Sequence, residues 1–144
     1  MYINRQLEVV VKDSLFDPDS SPQQRVCHAR RSGSRPLYEV WLYLEGNDLP
    51  YVESVTYELH PTFVEPRRRV RRSVRNPRCA LAIWTWGVFQ IKATIIDKQG
   101  GVYEVGHELT YGKELERLRP DQIQYLDDTQ TSSQPVFKGM IDIR

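Results

Sequence analysis

Two short segments hold the side chains best suited to chemistry, Leu59-His60-Pro61-Thr62-Phe63 and Trp84-Thr85-Trp86-Gly87-Val88-Phe89. Each sets aromatic residues beside proline or glycine, where a turn can hold side chains away from a core. If the two segments meet, Phe63 and Trp86 form opposite walls of a flat slot. Thr62 then supplies a hydroxyl at the rim, and backbone amides near Trp86 donate to a carbonyl. Such a slot suits a planar neutral group. Each aromatic contact contributes about 0.5–1.5 kcal/mol beyond area burial, and one or two hydrogen bonds fix the orientation of an amide.

Catalysis finds less support. The chain has no Gly-rich phosphate loop, no His-Glu-x-x-His and no Gly-x-Ser-x-Gly. Of its three histidines, His28 and His107 take a bland reading, and His60 is set apart by its neighbours. His28 sits beside Cys27 in a polar stretch and is expected in solvent. His107 shares strand parity with Val105 and Leu109 and is expected in the core with a satisfied hydrogen bond. A His60/Glu58 or His107/Glu108 dyad is conceivable, but alternation puts Glu108 on the face opposite His107. Cys27 and Cys79 lack the Cys-x-x-Cys spacing of zinc or redox sites. No enzyme activity, catalytic residue, metal ligand or cofactor is expected.

Charge is balanced, 20 basic against 19 acidic residues, so net field favours no class of partner. Its distribution is uneven: fifteen of the basic residues are arginine, and seven of those fall between Arg67 and Arg78. A run between strands usually reads as a solvated edge or loop, because strand edges are commonly protected by charge. Nucleic acid is a weaker reading of the same strip. An acidic peptide, or a negatively charged acyl group, is the partner suggested for Arg67, Arg68, Arg69, Arg71 and Arg72.

The elements that must position these residues follow a period of two. Leu7, Val9 and Val11 open a strand ending at Asp13, and Ser14 to Pro36 reads as an irregular polar loop. Leu37 to Glu45 is expected as an inner strand, with Tyr38, Val40, Leu42 and Leu44 on one face and Trp41 and Tyr43 on the other. Gly46-Asn47-Asp48 then reads as a hairpin turn into Tyr51–His60, with Val55, Tyr57 and Leu59 inward. Cys79 to Ile83 is a short strand interrupted by Trp84-Thr85-Trp86-Gly87, and Trp41 and Trp84 read as packing residues. Val88 to Asp97 points Phe89, Ile91, Ala93 and Ile95 inward, and Gly100-Gly101 turns it into Val102–Tyr111. About six strands with turns between them indicate an all-β antiparallel sandwich.

After Gly112 the sequence changes character. Lys113 to Leu118 reads as a helical turn that Pro120 stops, Asp127 to Pro135 as a polar linker, and Phe137, Gly139, Ile141 and Ile143 as a final edge strand. The expected organisation is a sandwich over residues 1–111 and a polar C-terminal extension over 112–144. The extension belongs to the same domain or begins a linker, and the apolar run just before Arg144 suggests a fragment of a longer protein.

His60-Pro61-Thr62-Phe63, then a basic proline-containing stretch, then Trp86-Gly87-Val88-Phe89 resembles the YEATS domain family. The resemblance extends to the Gly46 turn, the spacing between the motifs and His107-Glu108-Leu109, covering roughly Leu7 to Tyr111. It implies an immunoglobulin-like β-sandwich acting as a reader of acylated lysine. Phe63 and Trp86 would be the walls, Thr62 the hydroxyl contacting the amide, and His60 a residue shaping the pocket. The backbone around Trp86 and Gly87 would bond the acyl carbonyl. Thr85 stands where the family usually has glycine, Pro36 and Leu37 stand near the place of the family's third aromatic so that one wall is missing, and Pro77 is single where the family usually has two prolines. The long loop and divergent tail resemble prokaryotic members, whose setting is signalling or defence.

The expectation is therefore a non-enzymatic module binding acylated lysine or a similar flat acyl group. The alternative is a protein–protein adaptor without acyl binding. No apolar stretch approaches the roughly 20 residues of a membrane span, and Met1 to Arg5 lacks a secretory apolar region. An intracellular setting, cytoplasmic if prokaryotic, with no membrane partner, is expected.

Overall fold

The computed structural model describes residues 7–32 and 35–126. Alternating apolar residues form nine strands there: β1 (Val10–Ser14), β2 (Cys27–Ser32), β3 (Arg35–Glu45), β4 (Val52–Glu58), β5 (Arg67–Arg71), β6 (Leu81–Thr85), β7 (Gln90–Asp97), β8 (Val102–Glu108) and β9 (Ile123–Leu126). A short helix, α1 (Tyr111–Glu116), lies between β8 and β9. The linker and last strand expected between Asp127 and Ile143 lie outside the described residues.

The strands make two sheets, and the architecture is an all-β, immunoglobulin-like sandwich. In the five-stranded sheet β3 is central: β6 takes one edge, while β1 and β2 share the other in succession. The second sheet runs β5-β4-β7-β8, antiparallel throughout. Val11, Val40, Leu42, Leu44 and Ile83 from the first sheet meet Val55, Tyr57, Ile91, Ala93 and Ile95 from the second, all buried in one cluster. Full burial of a Val, Leu or Ile side chain stabilises by about 1.5–3 kcal/mol, so this seam holds the sheets face to face.

Three local expectations are corrected. The stretch Ser14–Pro36 is not all loop, because Cys27 and Ala29 are buried and β2 pairs with β3 on one side and, in parallel, with β9 on the other. The turn at Gly46 does not close a hairpin. A one-turn 3-10 segment at Leu49–Tyr51 carries the chain to the opposite sheet, so β3 and β4 never pair. Gly46 is needed there, since its φ is +148° and a Cβ would overlap the Glu8 carbonyl. Finally, β6 runs through Trp84 and Thr85 instead of stopping at Ile83.

The β7–β8 turn is a true hairpin. The Asp97 carboxylate accepts from the Gly101 amide at 2.8 Å, the Gln99 amide at 2.9 Å and the Tyr103 hydroxyl at 2.9 Å. The Gly101 bond leads in holding Asp97 below the usual carboxylate range.

Polar bonds also join the two sheets. The buried Tyr57 hydroxyl of β4 donates to the carbonyl of Cys79, just ahead of β6, at 2.7 Å. Asp13 of β1, its side chain wholly buried, accepts from the Thr110 amide at 2.9 Å and the Thr110 hydroxyl at 3.0 Å, and lies 2.6 Å from His107 Nε2. Next to it, Glu114 of α1 accepts from the Leu15 amide at 2.7 Å and the Ser14 hydroxyl at 3.0 Å. His107 has the hydrogen bond expected of it, with Asp13 as partner, but it is half-buried at the edge of the core and not within it.

Asp13→Ala removes the acceptor of the Thr110 amide and the partner of the His107 ring, and is expected to lower unfolding free energy by about 2 kcal/mol in urea titrations, with unchanged m-value. A loss below about 0.5 kcal/mol would show that the carboxylate is not a structural tie. Burial also pushes the Cys27 thiol up to about 12 and the Cys79 thiol up to about 11. Neither should react with a disulfide reagent at about pH 8 in the folded protein, and both should react in urea.

Candidate functional site

At the end of β4 the chain turns through His60–Phe63, with the Phe63 amide donating to the His60 carbonyl at 3.0 Å. The His60 ring folds over this turn: its Nδ1 accepts from the Thr62 amide at 3.2 Å and lies 2.8 Å from the Thr62 hydroxyl. Because an N–H points at Nδ1, that nitrogen is the acceptor. The Thr62 hydroxyl therefore donates to His60 and keeps oxygen lone pairs for an outside donor.

Phe63 is only 4% exposed. It packs against Phe89 at 5.5 Å between ring centroids, and His60 meets the same ring nearly edge-on at 5.9 Å. Phe89, just ahead of β7, is thus where the two aromatic segments touch. Phe63 and Trp86 make no ring contact with each other; Trp86 is half-buried against the core edge. Val64 and Val88, neighbours of Phe63 and Phe89, are exposed apolar residues at the margin.

The Trp86–Gly87 segment is held from below. The buried Thr85 hydroxyl accepts the Gly87 amide at 3.1 Å, and the Tyr111 hydroxyl donates to the Gly87 carbonyl at 2.8 Å. Burial keeps the Tyr111 phenol well above its ordinary range, so it remains a donor. Both Gly87 backbone groups are committed within the protein. Among the buried side-chain donors of this segment, the Trp86 indole Nε1–H has no acceptor.

Sequence reasoning named His60, Thr62, Phe63, Trp86 and Gly87, and the structure brings the first three together. It adds Phe89 as the shared ring and Thr85 and Tyr111 as the supports of Gly87. Phe89 was marked by its motif, whereas the Tyr111–Gly87 bond left no local signal. Elsewhere, His28 pairs with Glu39 at 3.2 Å on the outer face of the first sheet. Among the described residues no three metal-ligating side chains cluster, and no helix is long and apolar enough to cross a membrane.

A family model of the prokaryotic YEATS domain matches residues 38–110, just over half of the chain. Transcription initiation factor TFIID subunit 14 of Schizosaccharomyces pombe is 36% identical over 72 residues, 49% of this chain and 28% of that protein. The chain thus matches under a third of that relative's length. Among solved structures, the Yaf9 YEATS domain recognizing an H3K122suc peptide is similar at 14% identity and TM-score 0.49, covering 78% of this chain and 82% of that one. The yeast AF-9 homolog protein Yaf9 is similar at 15% identity and TM-score 0.48, covering 72% and 64%.

Phe89→Ala removes the ring that joins the two segments. It is expected to lower stability by about 2 kcal/mol, less than for a fully buried Phe, and to shift the His60 ring resonances in NMR spectra. Unmoved His60 signals would mean that the turn is held by Thr62 alone.

Proposed function

The chain belongs to the prokaryotic YEATS domain family, and from that premise we propose that it is a non-enzymatic reader of acylated lysine, or a similar flat acyl group, at the His60–Phe63 turn. Trp86 and Phe63 serve as walls, with Phe89 backing Phe63 and His60 shaping the turn. The Thr62 oxygen accepts the amide N–H of the ligand. The carbonyl takes a donor from the Trp86–Gly87 segment, where the buried indole N–H of Trp86 has no internal acceptor.

The observation that carries this reading is the Thr62 hydroxyl 2.8 Å from His60 Nδ1, a nitrogen that already accepts from the Thr62 amide. It turns the hydroxyl oxygen into an acceptor next to a cluster of rings, which suits a neutral amide. An unmodified ammonium entering the same apolar surroundings loses hydration that one acceptor cannot replace, whereas an acylated side chain has no charge to desolvate. The arginines at Arg67, Arg68, Arg69, Arg71 and Arg72 begin four residues after Phe63 and add a preference for acidic flanking sequence or a negatively charged acyl group.

The burial of Phe63 favours a second reading, in which the sandwich is an adaptor in a prokaryotic signalling or defence system and the aromatic cluster only packs. A titration of the protein against peptides bearing unmodified, trimethylated, acetylated, crotonylated and succinylated lysine separates the two. The reader binds the acyl forms selectively and loses them in Trp86→Ala and Thr62→Val. A folded protein that binds none of them is the adaptor.

A further inference from the structure

The four-stranded sheet ends at β5, and among the described residues nothing pairs with its outer edge. The ladder to β4 fixes which backbone groups face that edge. Leu59 N–H donates to the Pro66 carbonyl at 2.7 Å and Arg72 N–H to the Glu53 carbonyl at 3.0 Å. In an antiparallel pair these bonds recur at every second residue, so Arg68 and Val70 also bond to β4. The N–H and C=O groups of Arg67, Arg69 and Arg71 therefore point outward.

The side chains of the same three residues share one face. Val70 packs against the core opposite Val55, so Arg67, Arg69 and Arg71 stand on the outer face, opposite Glu58, Thr56 and Ser54. All three are exposed, at intervals of about 7 Å along the strand. Arg67 lies 3.6 Å from Glu58 and Arg71 2.6 Å from Glu53, while Arg69 faces Thr56 and has no partner among the described residues. The edge thus offers main-chain donors and acceptors beside a comb of guanidinium groups.

We propose that β5 is a docking edge for an extended acidic segment of a partner protein. The segment adds a strand along Arg67–Arg71 and sets alternate Asp or Glu side chains against the three arginines. Main-chain hydrogen bonds give the affinity, and the comb gives the selectivity. A second copy of β5 is rejected, because arginine would face arginine. A nucleic acid fits less well: β5 carries no aromatic residue for base stacking. This inference deepens the acidic-partner part of the reading above and does not depend on the acyl slot.

The test is fluorescence anisotropy of the full chain with a labelled peptide of alternating Glu and Val that contains no lysine, so that failure of acyl binding leaves the result untouched. The controls are a peptide of the same composition with its glutamates in one block and a single-stranded oligodeoxynucleotide. The alternating peptide should bind at least about fivefold more tightly than the block peptide, since only its charges match the comb. Arg69→Gln should weaken it a few-fold. Arg69→Pro removes the outward N–H while leaving the β4 ladder intact, and should weaken it about tenfold.

Equal affinity for the two peptides, equal losses in Arg69→Gln and Arg69→Pro, or no binding at low salt would each overturn the proposal. Tighter binding of the oligonucleotide than of the peptide would overturn it in favour of a nucleic-acid site. If Arg69→Pro does not fold, the triple variant Arg67→Glu, Arg69→Glu and Arg71→Glu replaces it. That variant should transfer binding to a peptide of alternating Lys and Val, and failure to do so would also overturn the proposal.

Discussion

A single buried carboxylate, between the two sheets, sets the geometry of the site. Asp13 is out of water, and a charge in that position persists only when hydrogen-bond donors surround it. The amide and hydroxyl of Thr110 and the ring of His107 supply them. That requirement joins β1 of one sheet to the end of β8 in the other and fixes where α1 begins. Tyr111 is the next residue, and its hydroxyl reaches the Gly87 carbonyl. The position of Trp86 therefore depends on a chain of polar contacts that starts at Asp13, with Glu114 repeating the attachment one helical turn later.

The arginine segment is fixed by a different means. It is bracketed by two non-glycine residues in the left-handed region, Glu65 at φ 55° and Cys79 at φ 52°. Such residues persist only where the surroundings over-determine them. At Cys79 the surroundings are the Tyr57 hydroxyl on its own carbonyl and the Asn76 side chain bonded to both backbone groups of Ala80. At Glu65 the carbonyl takes the Arg68 guanidinium at 2.6 Å. The chain enters β5 through one left-handed corner and approaches β6 through the other, so the course of the arginine segment is set at both ends.

Strands with one buried face were legible in the sequence: Val55, Tyr57, Ile91, Ala93 and Ile95 lie inward as their alternation required. β2 and β9 were not, because β2 is mostly polar, β9 is only four residues long, and the two pair across a wide sequence separation. Ala29 is the one small apolar residue amid His28, Arg30 and Arg31, too little contrast to show a period of two. Gly46-Asn47-Asp48 carries a hairpin's turn chemistry, yet what decides its path is the Glu8 carbonyl beneath it, a tertiary contact. The site divided in the same way. The residue types of the two segments showed in their spacing, but the supports Thr85 and Tyr111 and the direction of the Thr62–His60 bond depend on packing.

The parallel pairing of β2 with β9 bears on how the chain reaches this structure. Cys27 pairs with Ile123, and nearly all of the described chain lies between them. Closing so large a loop yields its contacts only after the loop-closure entropy has been met, and pairings of this kind raise contact order and slow folding. The β7–β8 hairpin and the adjacent strand β4 can form from nearer neighbours, so the sheet that holds Phe89 can assemble early. β9 then completes the other sheet late, after β2 has found β3. Until that happens β2 is a bare edge, and the barrier to finishing the sandwich lies at the strand pair farthest apart along the chain.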